Sequence, residues 1–283
     1  MDRILTSNDL AVKLEEDIIS RVDKLREKNE VPKLAIVRVG ENPNDISYEK
    51  SLIKKGEKYK IDIKQVLLDE SITTEELKSE IEKLNDDDSV TGMIIFRPLP
   101  KHIDDEVIQQ TVCWKKDVDC MTPTNLAKIF QGDFSSFQPA TPYASMKILE
   151  YYGIDLEGKS VAIVNRSMVL GKPMAMMVLG KNGTPTICHS RTKDLKKVLK
   201  EADVVVTATG RAKSLTREFL TEDSIVIDVG VSMGEDGKLS GDADFEDLKD
   251  YVKGITPRLG GVGKITSTLL MDQIVQAKEK SLK

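Results

Sequence analysis

The sequence of 283 residues is poor in the side chains that build metal sites or disulfide frameworks. Its three cysteines, Cys113, Cys120 and Cys188, are scattered and odd in number, which suits reduced thiols in a cytoplasm. Only two histidines are present, His102 and His189, so a His-rich zinc site is excluded. We therefore expect a cytoplasmic protein that carries no metal.

The chain also lacks long apolar runs and an excess of positive charge. No run approaches the roughly 20 apolar residues that span a bilayer, and the first residues, Met1 to Ile4, lack the apolar core of a signal peptide. Lysine plus arginine number 42 against 47 acidic residues, for a net charge of −5. Without a basic face to neutralise phosphates, neither nucleic acid nor a membrane is an expected partner.

Strand and helix patterns alternate along the chain, which is typical of parallel sheets with crossover helices. We expect an α/β protein of two domains, a Rossmann-like domain and a smaller α/β substrate domain, with a ligand-binding cleft between them. The apolar runs predict strands at 33–39, 61–68, 90–96, 160–164, 184–188, 204–208 and 224–229. The helical spacing predicts helices at 10–25, 45–59, 73–85, 172–179, 193–201 and 265–280. Thr73 and Glu76 match a capping box at the start of the third of these helices. A further helix is predicted to start with Thr141 as N-cap and Pro142 as first residue.

A strand followed by a polar turn and a helix stands at Val161 to Gly171. In a dinucleotide-binding domain this turn holds a pyrophosphate against the helix N-terminus. The glycine-rich fingerprint is absent, since only Gly171 matches it. Asn165 stands where a glycine would be expected, and asparagine tolerates a left-handed backbone. Taken alone, the segment also fits an ordinary strand-to-helix connection.

The strand 184–188 is followed by Ser190 and Arg191, where an NAD-specific domain usually carries a carboxylate. Together with Arg166, these side chains suit a 2′-phosphate and favour NADP over NAD, although Arg191 could also be an ordinary solvated charge. Two later strands end in Gly210 and in Gly230 followed by Val231, and a glycine there lets the backbone approach a flat ligand.

Three glycines, at 260, 261 and 263, precede the last predicted helix. Packing gives no reason for three, and their entropic cost is considerable. A loop that passes close to a ligand explains them, and a flexible hinge between domains is the alternative.

Eight short stretches of the sequence together point to a known family. They are Val39 to Pro43 with Tyr48, Lys116 to Asp119, Pro139 to Pro142, Arg166 to Met174, Cys188 to Thr192, Ala208 to Arg211, Ile227 to Gly230 and Gly260 to Gly263. In these stretches and in their order, the chain resembles the methylenetetrahydrofolate dehydrogenase/cyclohydrolase (FolD) family over nearly its whole length. The resemblance implies a tetrahydrofolate substrate, NADP as cofactor, a homodimer and a role in one-carbon metabolism that feeds purine biosynthesis.

The resemblance also assigns roles to residues. It makes Tyr48 and Asp119 catalytic, with Asp119 anchoring the pterin, and places both with Gly260 and Gly261 at the substrate. The cofactor-binding residues that it implies are Asn165, Arg166, Ser167, Gly171, Ser190, Arg191, Gly210 and Val231. It divides the chain into a folate-binding catalytic domain at 1–119, to which a helix at 265–283 returns, and an NADP-binding domain at 120–264.

The cyclohydrolase step of this family depends on a lysine four residues after the tyrosine and on a supporting glutamine. This sequence has Leu52 and Phe96 at those positions. Replacing both partners of a buried polar pair leaves neither unsatisfied, so we expect a dehydrogenase with weak or absent cyclohydrolase activity. The alternatives are a bifunctional enzyme that uses another lysine such as Lys55, a hydrolase that has lost its cofactor, and a non-catalytic folate-binding homologue.

Overall fold

The structure, a computed structural model, describes residues 3–234 and 237–282. Its helices are α1 (Asn8–Arg26), α2 (Pro43–Tyr59), α3 (Thr74–Asp86), α4 (Asp105–Thr111), α5 (Pro123–Phe130), α6 (Ala140–Tyr151), α7 (Gly171–Leu179), α8 (Leu195–Lys200), α9 (Phe245–Leu248) and α10 (Thr266–Ser281). Its strands are β1 (Lys33–Val39), β2 (Asp62–Leu68), β3 (Gly92–Ile95), β4 (Ser160–Val164), β5 (Thr184–Cys188), β6 (Val204–Thr207), β7 (Ile225–Asp228), β8 (Ser232–Met233), β9 (Leu239–Ser240) and β10 (Gly254–Ile255).

The described residues form two compact units. Unit A contains residues 13–128, 135–138 and 267–282, and unit B contains residues 3–12, 129–134 and 139–266. The chain therefore passes between the units several times, whereas the sequence-based division has a single boundary at 119/120 and a returning C-terminal helix.

Unit A is built on a parallel sheet of three strands in the order β2-β1-β3. The five inner residues of the central strand β1 are all buried. Helix α2 begins where Asn42 accepts a hydrogen bond from the Asn44 amide and Pro43 fixes the first helical residue. The predicted capping box of Thr73 and Glu76 is confirmed at the start of α3.

Helix α10 packs with unit A through side chains on two of its turns. Gln273 donates from Nε2 to the carbonyl oxygens of Val118 at 2.7 Å and Gln138 at 2.9 Å. Arg21 of α1 contacts Asp272 at 2.5 Å and Glu279 at 2.8 Å. These long-range contacts join the last helix to α1 and to the carbonyl groups of residues 118 and 138.

Unit B is built on a parallel sheet of five strands in the order β10-β7-β6-β4-β5. From β4 the chain adds β5 on one side and then β6, β7 and β10 on the other. The strand order therefore reverses between β4 and β6, and the carboxyl ends of strands at such a reversal are where open α/β sheets bind ligands. This topology confirms the predicted Rossmann-like domain.

Several predicted boundaries were wrong. Helix α6 begins at Ala140 after Pro139, so Thr141 is not its N-cap and Pro142 is not its first residue. The residue before the helix is Pro139, whose φ of −56° and ψ of 130° are not helical, and α6 follows it directly. Some short elements were not predicted, because they have too few residues to show a period. They are α4, α5, α9, β10 and the antiparallel pair β8 and β9.

No helix of the described residues is long and apolar enough to cross a membrane.

Candidate active site

Tyr48 lies on α2 in unit A, and its ring packs against the ring of Phe96, which follows β3. The two ring centroids are 5.4 Å apart at an interplanar angle of 38°. One turn after Tyr48, Leu52 is fully buried, and Phe96 is 6 % exposed. The two positions that depart from the family's cyclohydrolase pattern are thus both filled by well-packed apolar side chains.

Asp119 lies near Tyr48, and the surroundings of both groups raise their pKa values. Burial, reinforced by the charge of Asp117 and opposed by the Arg97 guanidinium, raises the pKa of Asp119 to about 7. Burial and the charge of Asp119 raise the pKa of Tyr48 well above its usual value. Among the described residues, neither Tyr48 nor Asp119 has a hydrogen-bond partner, so both polar groups are available to a ligand.

The backbone that presents Asp119 is held in place by its neighbour Asp117. Asp117 is buried and accepts hydrogen bonds from the Met121 and Thr122 amides, both at 2.9 Å, and from Asn125 Nδ2 at 2.8 Å. Cys120 has a left-handed backbone with φ of 56°, a conformation that glycine adopts more easily.

Arg97 is a charged residue of this site that the sequence analysis did not single out. It follows Phe96 directly and forms an ion pair with Asp105 of α4. The side chain of Arg97 is 29 % exposed, and its charge lowers the pKa of Asp119. No sequence motif marked it, because its role depends on how close the end of β3 lies to residues 117–119. Those segments are joined by a parallel bridge between Met93 and Asp117.

Lys55, the alternative proton carrier, is engaged elsewhere in unit A. Its Nζ donates to Thr268 Oγ1 at 2.7 Å and lies 3.4 Å from the hydroxyl of Tyr59. That hydroxyl in turn donates to Glu15 at 2.7 Å. The ammonium group of Lys55 is therefore part of a polar cluster with α10 and α1.

In unit B, Asn165 organises the turn between β4 and α7. Its Oδ1 accepts from the Ser167 amide at 2.8 Å, the Ser167 hydroxyl at 2.7 Å and the Gly171 amide at 3.1 Å. Its Nδ2 donates to the Ala208 carbonyl oxygen at 2.7 Å, which ties the ends of β4 and β6 together. The suggestion of a left-handed backbone at Asn165 was wrong, because Asn165 is not among the residues with positive φ. Its side chain, not its backbone, shapes the turn.

Gly171 is required where α7 starts. A Cβ atom there would overlap the carbonyl oxygen of Asn165, so only glycine allows the helix to begin this close to the end of β4. Arg166 and Ser167, on the same turn, are exposed to solvent.

The remaining predicted cofactor residues lie in the loops that follow β5, β6 and β7. Ser190 and Arg191 are exposed in a turn closed by His189, whose amide donates to Thr192 Oγ1 at 2.8 Å. Gly210 adopts a φ of 69°, and Val231 is 61 % exposed. Because all strands of this sheet are parallel, these loops share one edge with the Asn165 turn. The structure thus brings the predicted cofactor residues to the same edge of the sheet.

Gly260 and Gly261 lie in unit B after β10, apart in the chain from Tyr48 and Asp119. Gly260 has a φ of 76°, and a Cβ at Gly261 would overlap the carbonyl oxygen of Pro257. The Gly261 carbonyl oxygen accepts from the Ser7 hydroxyl at 2.7 Å. The expectation that packing gives no reason for these glycines was therefore wrong for two of the three, because their backbone geometry requires glycine.

Among the described residues, no group of three or more His, Cys, Asp or Glu side chains is arranged to hold a metal ion.

The doubly wound parallel sheet of unit B, with polar turns at its switch point, places the protein in the class of dinucleotide-binding α/β proteins. Family models identify it further. Residues 5–119 match the catalytic domain of tetrahydrofolate dehydrogenase/cyclohydrolase, and residues 139–282 match the NAD(P)-binding domain of the same family. The chain belongs to the tetrahydrofolate dehydrogenase/cyclohydrolase family.

Individual relatives agree with this assignment. The chain is 51 % identical to the bifunctional protein FolD of Clostridium botulinum over 281 residues, which covers 99 % of this chain and 100 % of the relative. It superposes on the crystal structure of the bifunctional FolD of Campylobacter jejuni with a TM-score of 0.96 at 37 % identity, covering 99 % of this chain and 100 % of the other. A Trypanosoma brucei FolD solved with NADP and an inhibitor gives a TM-score of 0.92 at 26 % identity, with 100 % and 99 % covered.

Proposed function

We propose that this protein is an NADP-dependent methylenetetrahydrofolate dehydrogenase, which oxidises 5,10-methylenetetrahydrofolate to 5,10-methenyltetrahydrofolate. Its family membership supports this activity. The observation that carries the proposal is Asp119, a half-buried carboxyl beside Tyr48 that has no hydrogen-bond partner among the described residues. Hydrogen bonds from a ligand would compensate the partial loss of water around this carboxyl.

The chemistry of this oxidation requires little proton transfer. The reacting methylene carbon lies between two nitrogens, and loss of a hydride leaves a cation that both nitrogens stabilise, so no strong base is needed. When bound, NADP accepts this hydride. The task that remains for the protein is orientation of the substrate. We propose that Asp119 anchors the pterin through paired hydrogen bonds, with Tyr48 and the loop of Gly260 and Gly261 also contacting the substrate.

The anchoring role of Asp119 fits its ionisation. With a pKa of about 7, the carboxyl is poised between its two forms at neutral pH. Pterin N–H donors would stabilise the carboxylate form, because hydrogen bonds to an ionised acceptor are about twice as strong as neutral ones. Substrate binding would therefore complete the ionisation of Asp119.

The donors at the edge of the unit B sheet fit NADP. We propose that the Asn165 turn, with Arg166, Ser167 and Gly171, holds the pyrophosphate against the start of α7. The end of β5 offers a hydroxyl and a guanidinium, Ser190 and Arg191, without a carboxylate, and this set suits a 2′-phosphate better than a bare ribose. The loops of Gly210 and Val231 would contact the rest of the cofactor.

We further propose that the cyclohydrolase activity is weak or lost. Hydrolysis of the methenyl cation requires proton transfer at the position of Leu52, and a leucine cannot carry a proton. Phe96 fills the place of the supporting glutamine and packs on Tyr48. The engagement of Lys55 by Thr268 argues against a bifunctional enzyme that uses this lysine.

The other two alternatives find less support. A hydrolase without a cofactor would have no use for the Asn165 turn or for Arg191. A non-catalytic folate-binding homologue would not require both Asp119 and the proposed cofactor-binding loops of unit B.

A paired assay on one preparation tests both parts of the proposal. We expect NADP reduction with methylenetetrahydrofolate, whereas methenyltetrahydrofolate should hydrolyse near the rate in buffer. If NADP is not reduced, the proposed dehydrogenase activity is refuted. If the protein hydrolyses methenyltetrahydrofolate rapidly, the proposed loss of cyclohydrolase activity is refuted. Asp119→Asn serves as a control with an intact cofactor site.

From the resemblance we also propose a catalytic role for residues 1–119 and a cofactor role for residues 120–264. A homodimer in the cytoplasm, supplying one-carbon units for purine biosynthesis, completes the proposal. Light scattering on the purified protein tests the dimer.

A further inference from the structure

Two buried aspartates of unit B lie beside the cofactor loops without belonging to any predicted site. Asp228 ends β7 and is 8 % exposed, whereas Asp242 follows β9 and is fully buried. A buried carboxylate is costly unless it is well hydrogen-bonded. We term Asp228 and Asp242 together the carboxylate brace. Their hydrogen-bond partners indicate the function of the pair.

Asp242 holds the loop that follows β6. Its Oδ2 accepts from the Thr207 hydroxyl at 2.9 Å and from the Thr209 amide, and its Oδ1 accepts from the Arg211 amide at 3.1 Å. The two amides lie on either side of Gly210. The carboxylate therefore fixes the position and left-handed backbone of the glycine that we assign to the cofactor.

Asp228 holds the neighbouring loop in the same way. It accepts from the Gly230 amide at 2.9 Å, the Asp242 amide at 3.2 Å and the Ala243 amide at 2.9 Å. Burial, opposed by the Ala243 amide and reinforced by the charge of Asp242, raises the pKa of Asp228 to about 6. The two aspartates thus connect the loops after β6, β7 and β9.

Two glycines make room for this arrangement. A Cβ at Gly230 would overlap the carboxyl group of Asp242, and a Cβ at Gly241 would overlap that of Asp228. Each carboxylate packs against a backbone that has no side chain. The close approach of Asp242 therefore requires glycine after β7.

We propose that Asp242 is a positioning residue for NADP: through the carboxylate brace it holds the loops of Gly210 and Val231 in the conformation that receives the cofactor. The inference rests on the proposed cofactor site. The interaction is indirect, because Asp242 is fully buried and acts on the cofactor only through the backbone of these loops.

The test is direct titration of the purified full-length protein with NADPH, followed by fluorescence and by calorimetry, in Asp242→Asn. Asparagine keeps the shape but brings an N–H₂ group against backbone donors, so we expect the Kd to rise at least about ten-fold. The KM for methylenetetrahydrofolate should stay within about two-fold, because its proposed anchor is in unit A. A general loss of structure would change both.

Asp203→Asn is the matched control within unit B. Asp203 also accepts a backbone hydrogen bond, from the Ser160 amide at 2.9 Å, but it lies at the amino ends of β4 and β6. The Kd for NADPH should not change in this variant. An Asp242→Asn variant that binds NADPH as well as the wild type would overturn the inference.

Should Asp242→Asn fail to fold, Thr207→Val decides. It removes one hydrogen bond to Asp242 and keeps the carboxylate, so we expect the Kd to rise about three-fold; an unchanged Kd overturns the inference. The proposed function fails in a different way, through a wild-type protein that does not bind NADPH.

Discussion

Returning a lysine to position 52 and a glutamine to position 96 tests why the two positions are apolar. Leu52 is fully buried, so Leu52→Lys alone places an ammonium group in the core without a partner. We expect the free energy of unfolding to fall by roughly 3–5 kcal/mol, as when one partner of a buried pair is missing. Phe96→Gln loses a buried ring worth about 1.5–3 kcal/mol and the contact with Tyr48, worth about 0.5–1.5 kcal/mol.

The double variant should be more stable than the sum of these losses indicates. A hydrogen bond between the new lysine and glutamine involves a charged group and is worth about 1.5–3 kcal/mol, and this coupling energy should appear in the double-mutant cycle. The lysine would also be able to carry a proton. Since a positioned acid or base contributes about 10²- to 10⁴-fold to a rate, we expect at least about a hundred-fold faster methenyl hydrolysis in the double variant.

Unfolding by urea gives the coupling energy, and loss of the methenyl absorbance gives the hydrolysis rate. A variant with Leu52→Met and Phe96→Leu is the matched control, because it changes the same positions but introduces no polar group. We expect the single polar variants to hydrolyse less than about ten-fold faster than the wild type. Additive losses of stability, or a double variant no faster than the control, would refute the reasoning.

Further predictions concern Asp119 and the cofactor edge. Asp119→Asn should lower kcat/KM for methylenetetrahydrofolate by roughly 10- to 100-fold, because the charge-assisted hydrogen bonds to the pterin are lost, and a parallel loss of NADPH affinity in titrations would contradict this. Because the carboxylate form of Asp119 accepts those hydrogen bonds, kcat/KM should rise as the pH rises through about 7. Arg97→Leu removes the charge that lowers the pKa of Asp119, so the pH profile of kcat/KM in this variant should shift to higher pH. A midpoint that stays the same or falls would contradict the role of Asp119. Arg191→Ala should raise the KM for NADP about ten-fold or more and leave that for NAD unchanged, with Arg217→Ala as the control, since Arg217 pairs with Asp247. Asn165→Ala removes the side chain that bonds the turn after β4, so the Kd for NADPH should rise about ten-fold by calorimetry, and an unchanged Kd would show that the turn forms without it.

Much of the local structure could be predicted because its signals are local. The apolar run of β1 and the capping box of Thr73 and Glu76 are contained within a few residues, and both were found where the sequence placed them. Short elements such as β10 and α9 were missed, because a few residues show no period. Thr141 and Pro142 indicated a helix start in this region but not its first residue.

The candidate site was predicted mainly through a family resemblance, and this resemblance identified residues without their surroundings. It named Asn165 and Asp119, but not the hydrogen bonds of the Asn165 side chain or the raised pKa of Asp119. Arg97 and Asp242 were missed altogether. Their partners, Asp105 and Thr207, are reached only through the fold, and no spacing in the sequence connects them.

The sequence by itself determined the order of the longer strands and helices, the family, and the presence of apolar side chains at positions 52 and 96, since each depends on residue identity or on a short period. The tertiary structure decided which groups meet. Asp242 and Thr207 are 35 positions apart, and Gln273 is 155 positions from Val118. Burial, charge and hydrogen bonding are properties of such long-range neighbourhoods, so the ionisation of Asp119 and the need for glycine at 230 become visible only when the chain is folded.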